Sequence, residues 1–258
     1  MKRSVLVCCL IALVLAACEI TPSGSAGTSD LAKARPCDGD AGATNNTRLA
    51  TVEQMIADGK YYAALAELDA IGATTQKATW LRAEALRRID HTDEAVSLYN
   101  GLIGSCLEGR AQHGLGLSAA RQGQGARAID ALSAARRLLP TDARVRNDLG
   151  YALLLDRRWD AAQFEFLTAL DLAPQDPLAS RNLVLLAFVQ GKAEVARTLA
   201  DKFNLAPEMT SRLAMQAASM MYAPNPVPQA SAAASAPPHP LESGLRPPPL
   251  TTPASDAS

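Results

Sequence analysis

The stretch Asn147-Asp148-Leu149-Gly150-Tyr151-Ala152-Leu153 leads into Asp160-Ala161-Ala162, Phe166, Ala169 and Pro174. Thirty-four residues earlier stand His113-Gly114-Leu115-Gly116-Leu117-Ser118-Ala119, then Ala126-Arg127-Ala128 and Pro140. One step later, Arg181-Asn182-Leu183-Val184 and Gly191 fall in the same frame. A fixed period of this length marks stacked structural repeats, each too small to bury its own apolar face. The Leu, Gly and Ala positions let two helices of a repeat approach closely. The proline ends the second helix, because the residue before a proline avoids the α region.

The frame weakens outward. Residues 109–142 form a full repeat with Leu115, Gly116, Gly123, Ala128 and Pro140. Residues 76–108 fit through Ala83, Ala85, Leu86, Asp93-Glu94-Ala95 and Tyr99, one residue short and lacking the proline. Residues 45–75 read as a degenerate first repeat, with Gly59-Lys60-Tyr61 as its turn and Ala64 and Leu68 on its packing face. Residues 177–204 supply a fifth. Pro207 then opens a last helix to about Tyr222, with Met209, Leu213, Ala217, Met220 and Met221 at helical spacing. A terminal repeat exposes an apolar face, so a solvating helix is expected there. The four methionines of that helix, Met215 included, read as packing of this cap.

Composition agrees with an all-helical chain. Of 258 residues, 48% are hydrophobic and only 4% aromatic, and Ala and Leu dominate. The net charge of −1 leaves no basic excess to neutralise phosphates, which argues against nucleic acid as a partner.

The first residues form an address. Lys2 and Arg3 precede an apolar run from Val5 to Leu15, too short to span a bilayer. Leu15-Ala16-Ala17-Cys18 then reads as a lipobox, with Cys18 the lipidated residue of the mature protein. Residues 1–17 are therefore expected to be a lipoprotein signal peptide. Glu19 rather than Asp follows the cysteine, which suggests the inner leaflet of the outer membrane, facing the periplasm. Residues 18–44, rich in Gly, Ser and Thr, read as a lipidated disordered tether. Residues 45–221 hold the repeats. Residues 222–258 contain ten of the sixteen prolines and read as a disordered Pro/Ala/Ser-rich tail. Cys37 and Cys106 remain in the mature body. In an oxidising compartment they are expected to form a disulfide that staples the leader to the helices.

No catalytic constellation is present. The chain has no HExxH, GxSxG, Gly-rich phosphate loop or CxxC, and its three His and five Cys are too scattered for a metal cage. A non-enzyme without cofactor, metal or small-molecule substrate is expected. Function then falls to the face lined by the first helix of each repeat. The frame places Arg110, His113 and Leu117 there from the third repeat, and Arg144, Asn147 and Tyr151 from the fourth. Arg181, Asn182 and Leu185 come from the fifth, and Trp80 joins from the second. This basic and apolar mixture suits a protein segment with acidic groups and a few apolar anchors.

Leu149, Gly150, Ala162, Phe166, Ala169 and Pro174 at this period resemble the tetratricopeptide repeat. That resemblance implies a right-handed superhelix of about five helix pairs, plus a C-terminal capping helix. With the lipobox, the segment from Asn147 to Leu155 and its echo from Ser180 to Ala187 resemble the TadD-type lipoproteins of tight-adherence (Flp) pilus assembly. The resemblance implies a non-enzymatic role in pilus biogenesis, supporting the outer-membrane secretin or other pilus components. A lipoprotein adaptor that recruits peptidoglycan enzymes and a type IV pilus pilotin share the same features.

Overall fold

The computed structural model describes residues 43–72 and 74–222. The signal segment, the lipidation site Cys18, Cys37 with the tether up to residue 42, and the proline-rich tail beyond Tyr222 lie outside them; the last two residues of the expected tether already belong to a helix. Eleven helices and no strand are present among the described residues, so the all-α fold follows as the period predicts. They are α1 (Ala43–Ala57), α2 (Tyr61–Ile71), α3 (Gln76–Arg88), α4 (Thr92–Asn100), α5 (Glu108–Arg121) and α6 (Gly125–Leu138). Then follow α7 (Ala143–Leu155), α8 (Trp159–Leu172), α9 (Pro177–Val189), α10 (Ala193–Lys202) and α11 (Pro207–Tyr222). The described residues fall into two compact units, divided between Asn182 and Leu183 inside α9.

Each pair of helices is closed by the same device. Lys60 N–H donates to the Met55 carbonyl, His91 to Leu86, Gln124 to Ala119, Arg158 to Leu153 and Lys192 to Ala187. Each bond spans a residue in the left-handed region, and together they form the helix-ending turn that satisfies otherwise orphaned carbonyls. That residue is Gly59, Asp90, Gly123, Arg157 or Gly191 in the five turns. Two turns therefore use a side-chain-bearing residue where glycine would be unstrained.

The links between pairs repeat as well. Asp142 accepts from the backbone N–H groups of Arg144 (2.9 Å) and Val145 (3.1 Å), capping α7. One period on, Asp176 accepts from Leu178 N–H at 3.0 Å at the start of α9. Such caps satisfy the first donors of a helix. The second repeat lacks this link. Its α4 stops at Asn100, and residues 101–107 run as consecutive turns before α5, held by buried Leu102 and Leu107.

Within the first unit α5 packs on α6, α7 on α8, and α6 on α7; α1, α3, α5 and α7 also contact one another in sequence. The frame residues fill the seams. Leu149, Ala162, Phe166 and Ala169 are all buried. The Gly150 backbone lies against the Phe166 ring so closely that an added Cβ would stand 2.7 Å from two ring carbons. One period earlier, a Cβ at Gly116 would stand 2.6 Å from Leu132 Cγ, so glycine opposite a large side chain is repeated.

Candidate protein-binding face

The first helices of successive pairs, α3, α5, α7 and the start of α9, bring most of the expected face residues into one polar chain. The Arg110 guanidinium lies over the Trp80 ring, 4.8 Å from its centroid, and ties α5 to α3. Such stacking favours a cation over the negative face of an indole. His113 Nε2 lies 2.7 Å from Asp148 Oδ2 and ties α5 to α7. Asn147 Nδ2 donates to Asp148 Oδ1 at 3.3 Å, and Asn182 Nδ2 donates to Asn147 Oδ1 at 2.8 Å, tying α9 to α7.

The positions differ in what they offer a partner. Arg110 and Arg144 are exposed, and Leu117, Tyr151, Arg181 and Asn182 are half-buried. Asn147 is 7% exposed and acts through its amide in the chain of bonds. Leu185 is 1% exposed and belongs to the second unit, where it packs rather than faces solvent. Arg181 Nε is buried and has no hydrogen-bond partner among the described residues. An unsatisfied donor of this kind costs about 1–3 kcal/mol. Arg144 makes no ion pair among the described residues.

Sequence reading did not single out Asp148. It follows Asn147 and joins His113 to the Asn147–Asn182 pair, so the face carries an acid at its centre between flanking arginines. It also passed over Glu84. Tyr99 O–H donates to Glu84 Oε1 at 2.5 Å, and Arg87 donates to Glu84 Oε2 at 2.7 Å and, through Nε, to Tyr99 Oη at 3.3 Å. Burial pushes the Glu84 carboxyl up. The Arg87 guanidinium, the bonds from Arg87 and Tyr99, and the nearby His113 outweigh it and hold the group below its ordinary value. Burial and the Glu84 carboxylate push the Tyr99 phenol up, so it stays a donor. The triad is a rigid support beneath α5. A Cβ at Gly114 would overlap the Tyr99 ring at 2.3 Å, so α5 rests directly on that ring.

An open cleft of about 350 Å³ lies apart from this face, lined by Leu68, Thr74, Ala78 and Leu98 and spanned by the Asp69–Arg82 ion pair at 2.7 Å. None of the expected face residues borders it. No group of three or more His, Cys, Asp or Glu side chains that could hold a metal occurs among the described residues. No described helix is long and apolar enough to cross a membrane.

No family model matches the chain. A TPR repeat-containing protein from Pseudomonas aeruginosa is 39% identical over 171 residues, covering 66% of this chain and 69% of that protein. Among solved structures, MamA AMB-1 is 21% identical with a TM-score of 0.50, covering 64% of this chain and 98% of its own. MamA from Desulfovibrio magneticus RS-1 is 18% identical with a TM-score of 0.51, covering 66% and 97%. At these identities the structural likeness is one of fold: stacked helix pairs.

Proposed function

The chain belongs to the tetratricopeptide-repeat proteins, and from that premise we propose that it is a non-enzymatic scaffold whose α3–α5–α7–α9 face captures a segment of a partner protein. The observation that carries this reading is the imbalance of the face. The Trp80–Arg110 stack and the His113–Asp148–Asn147–Asn182 chain fix it rigidly. Arg144 is left exposed and Arg181 Nε without an acceptor. A preorganised surface with an exposed Arg144, unpaired among the described residues, binds a carboxylate-bearing segment without first paying to order itself.

The lipobox at Leu15–Cys18 supports attachment through Cys18 to the periplasmic face of the outer membrane. The repeats and that anchor together support a place in Flp pilus biogenesis, with the secretin or another pilus component as partner. The test is in-cell crosslinking of the full-length lipoprotein, wild type beside a variant carrying Arg144→Glu and Arg181→Glu. Recovery of a secretin or pilus component by the wild type, and its loss in the variant at unchanged helicity, is the expected outcome. Recovery of peptidoglycan enzymes instead would replace the pilus reading with the adaptor reading. Equal capture by both proteins would move binding off this face.

A further inference from the structure

The helix α8 carries a second interaction surface, on the side that the paired helices do not bury. Asp160, Phe164, Leu167 and Asp171 recur at helical spacing along a single line. All four are exposed; Phe164 is 60% exposed and Leu167 45%. The line is about 16 Å long at the helical rise. It has an acid at each end and two large apolar side chains between.

The repeat frame shows that this line is a departure. One period earlier, α6 has Asp130 in the place of Phe164 and Ser133 in that of Leu167. One period later the chain has Thr198 and Asp201 at these places. The neighbouring repeats thus carry polar residues where α8 exposes an aromatic ring and a leucine. Phe166 and Ala162, both fully buried, fill the helix seam, while Phe164 and Leu167 leave about half of their surface to solvent.

Asp171 departs in the same helix. The matching residue of α6 is Arg137, and α6 ends on Arg136 and Arg137. Cations there suit the negative end of the helix dipole, and an acid in the last turn opposes it. The last turn of α8 holds no basic residue to offset Asp171, whereas Arg157 and Arg158 directly precede the Asp160 end. Neither acid forms an ion pair among the described residues. The α8 line therefore combines unburied apolar area with an uncompensated negative charge at one end.

We propose that the exposed line of α8 is a docking surface for an amphipathic helix of another protein, which sets large apolar side chains over Phe164 and Leu167 and a lysine or arginine against Asp171. A helix fits because the two apolar residues and the acid lie one turn apart, the spacing at which a second helix presents its own anchors. The charge selects orientation and excludes acid-flanked helices. This surface is separate from the face carrying Arg144 and Arg181 and stands or falls without it.

The probes are two lactam-bridged helical peptides with the same leucine face, one flanked by lysine and one by glutamate. Each is titrated into the full-length chain, with binding read by fluorescence anisotropy and contacts by amide shift mapping. The lysine-flanked peptide is expected to bind and to shift Phe164, Leu167 and Asp171. Installing the α6 pattern through Phe164→Asp with Leu167→Ser should weaken it about tenfold or more, the effect of losing a central aromatic anchor. Asp171→Arg should reverse the preference between the peptides. All three positions are exposed, so the variants keep the fold, which circular dichroism checks. Equal binding of the two peptides, shifts confined to Arg144 and Arg181, or indifference to Phe164→Asp with Leu167→Ser would each overturn the proposal. So would sedimentation showing a wild-type oligomer that this variant dissolves, because the occupant would then be a second copy.

Discussion

Glu84 shows how much a single half-buried charge decides. Its carboxylate accepts from both Tyr99 and Arg87, and Tyr99 in turn supports α5 at Gly114. Burial alone would raise its pKa; the cation and the two donors win, and the folded value lies below the ordinary 4.5. A depressed folded value means that the unfolded chain takes up the proton first. The contribution to stability is therefore complete above the ordinary carboxyl value and is lost as pH falls through the lowered one. Urea denaturation should give a stability that holds from neutrality to about pH 5 and declines as pH falls through the carboxyl range. Glu84→Gln should be less stable near neutral pH and show a flatter acid limb. An acid limb identical to wild type would show that other carboxylates set it. Glu165 is more deeply buried, held by Arg136 at 2.8 Å and Arg146 at 3.0 Å. Sequence reading passed over both, because a lone glutamate in a helix reads as a solvated charge until its cationic neighbours from other helices are known.

The helices themselves were legible because two physical requirements recur at the same interval. A glycine must face a large side chain where the paired helices cross, and a proline must end one pair, followed two residues on by an acidic cap that the structure adds to the pattern. Gly116 with Leu132 and Gly150 with Phe166 meet the first; Pro140 with Asp142 and Pro174 with Asp176 meet the second. The crossing is tight enough to test. Gly150→Ala puts a Cβ 2.7 Å from two carbons of a fully buried ring. Overpacking of this kind costs about 1–3 kcal/mol, even though alanine is the better helix former. Thermal unfolding should show a clear loss of Tm, and the pair Gly150→Ala with Phe166→Leu should recover part of it. A Gly150→Ala protein as stable as wild type would mean that the crossing can open. The link at 101–107 was not legible, because it has neither signal: no proline stops α4, and no acid caps α5. Leu102 and Leu107 hold it by burial alone, which leaves no period to read. The α8 line was hidden for a related reason. The frame assigns Phe166 to the seam but gives no place to Phe164 or Leu167, so nothing in the period marks them as exposed.

At the scale of the molecule, a repeat array has no single core, so stability passes from neighbour to neighbour and frays from its ends. The first repeat needs support most. Its cluster of Leu49, Val52, Ala64, Leu68, Ala78 and Leu81 borders the open cleft, and the second repeat lacks the proline–aspartate link. Cys106 stands in the link just before α5, where the regular repeats begin, and it is disulfide-bonded. Its partner lies outside the described residues, and the sequence expectation is Cys37. A bond between these two would close a loop around both irregular repeats. For a loop of this size the chain-entropy model gives about 4 kcal/mol, less any strain. That energy would be delivered where neighbour coupling is weakest. Unreduced peptide mapping should recover a Cys37–Cys106 linked pair. In a Cys106→Ser protein, amide exchange should speed up through α1 to α4 and remain slow in α7 and α8. The reason lies in the coupling: α5 leans on α3 and α4, whereas α7 and α8 pack on each other and on α6, away from the first two pairs. If exchange instead quickened to the same degree through α7 and α8, the repeats would unfold as one unit, and a local staple could not explain why the cysteine stands where the regular array begins.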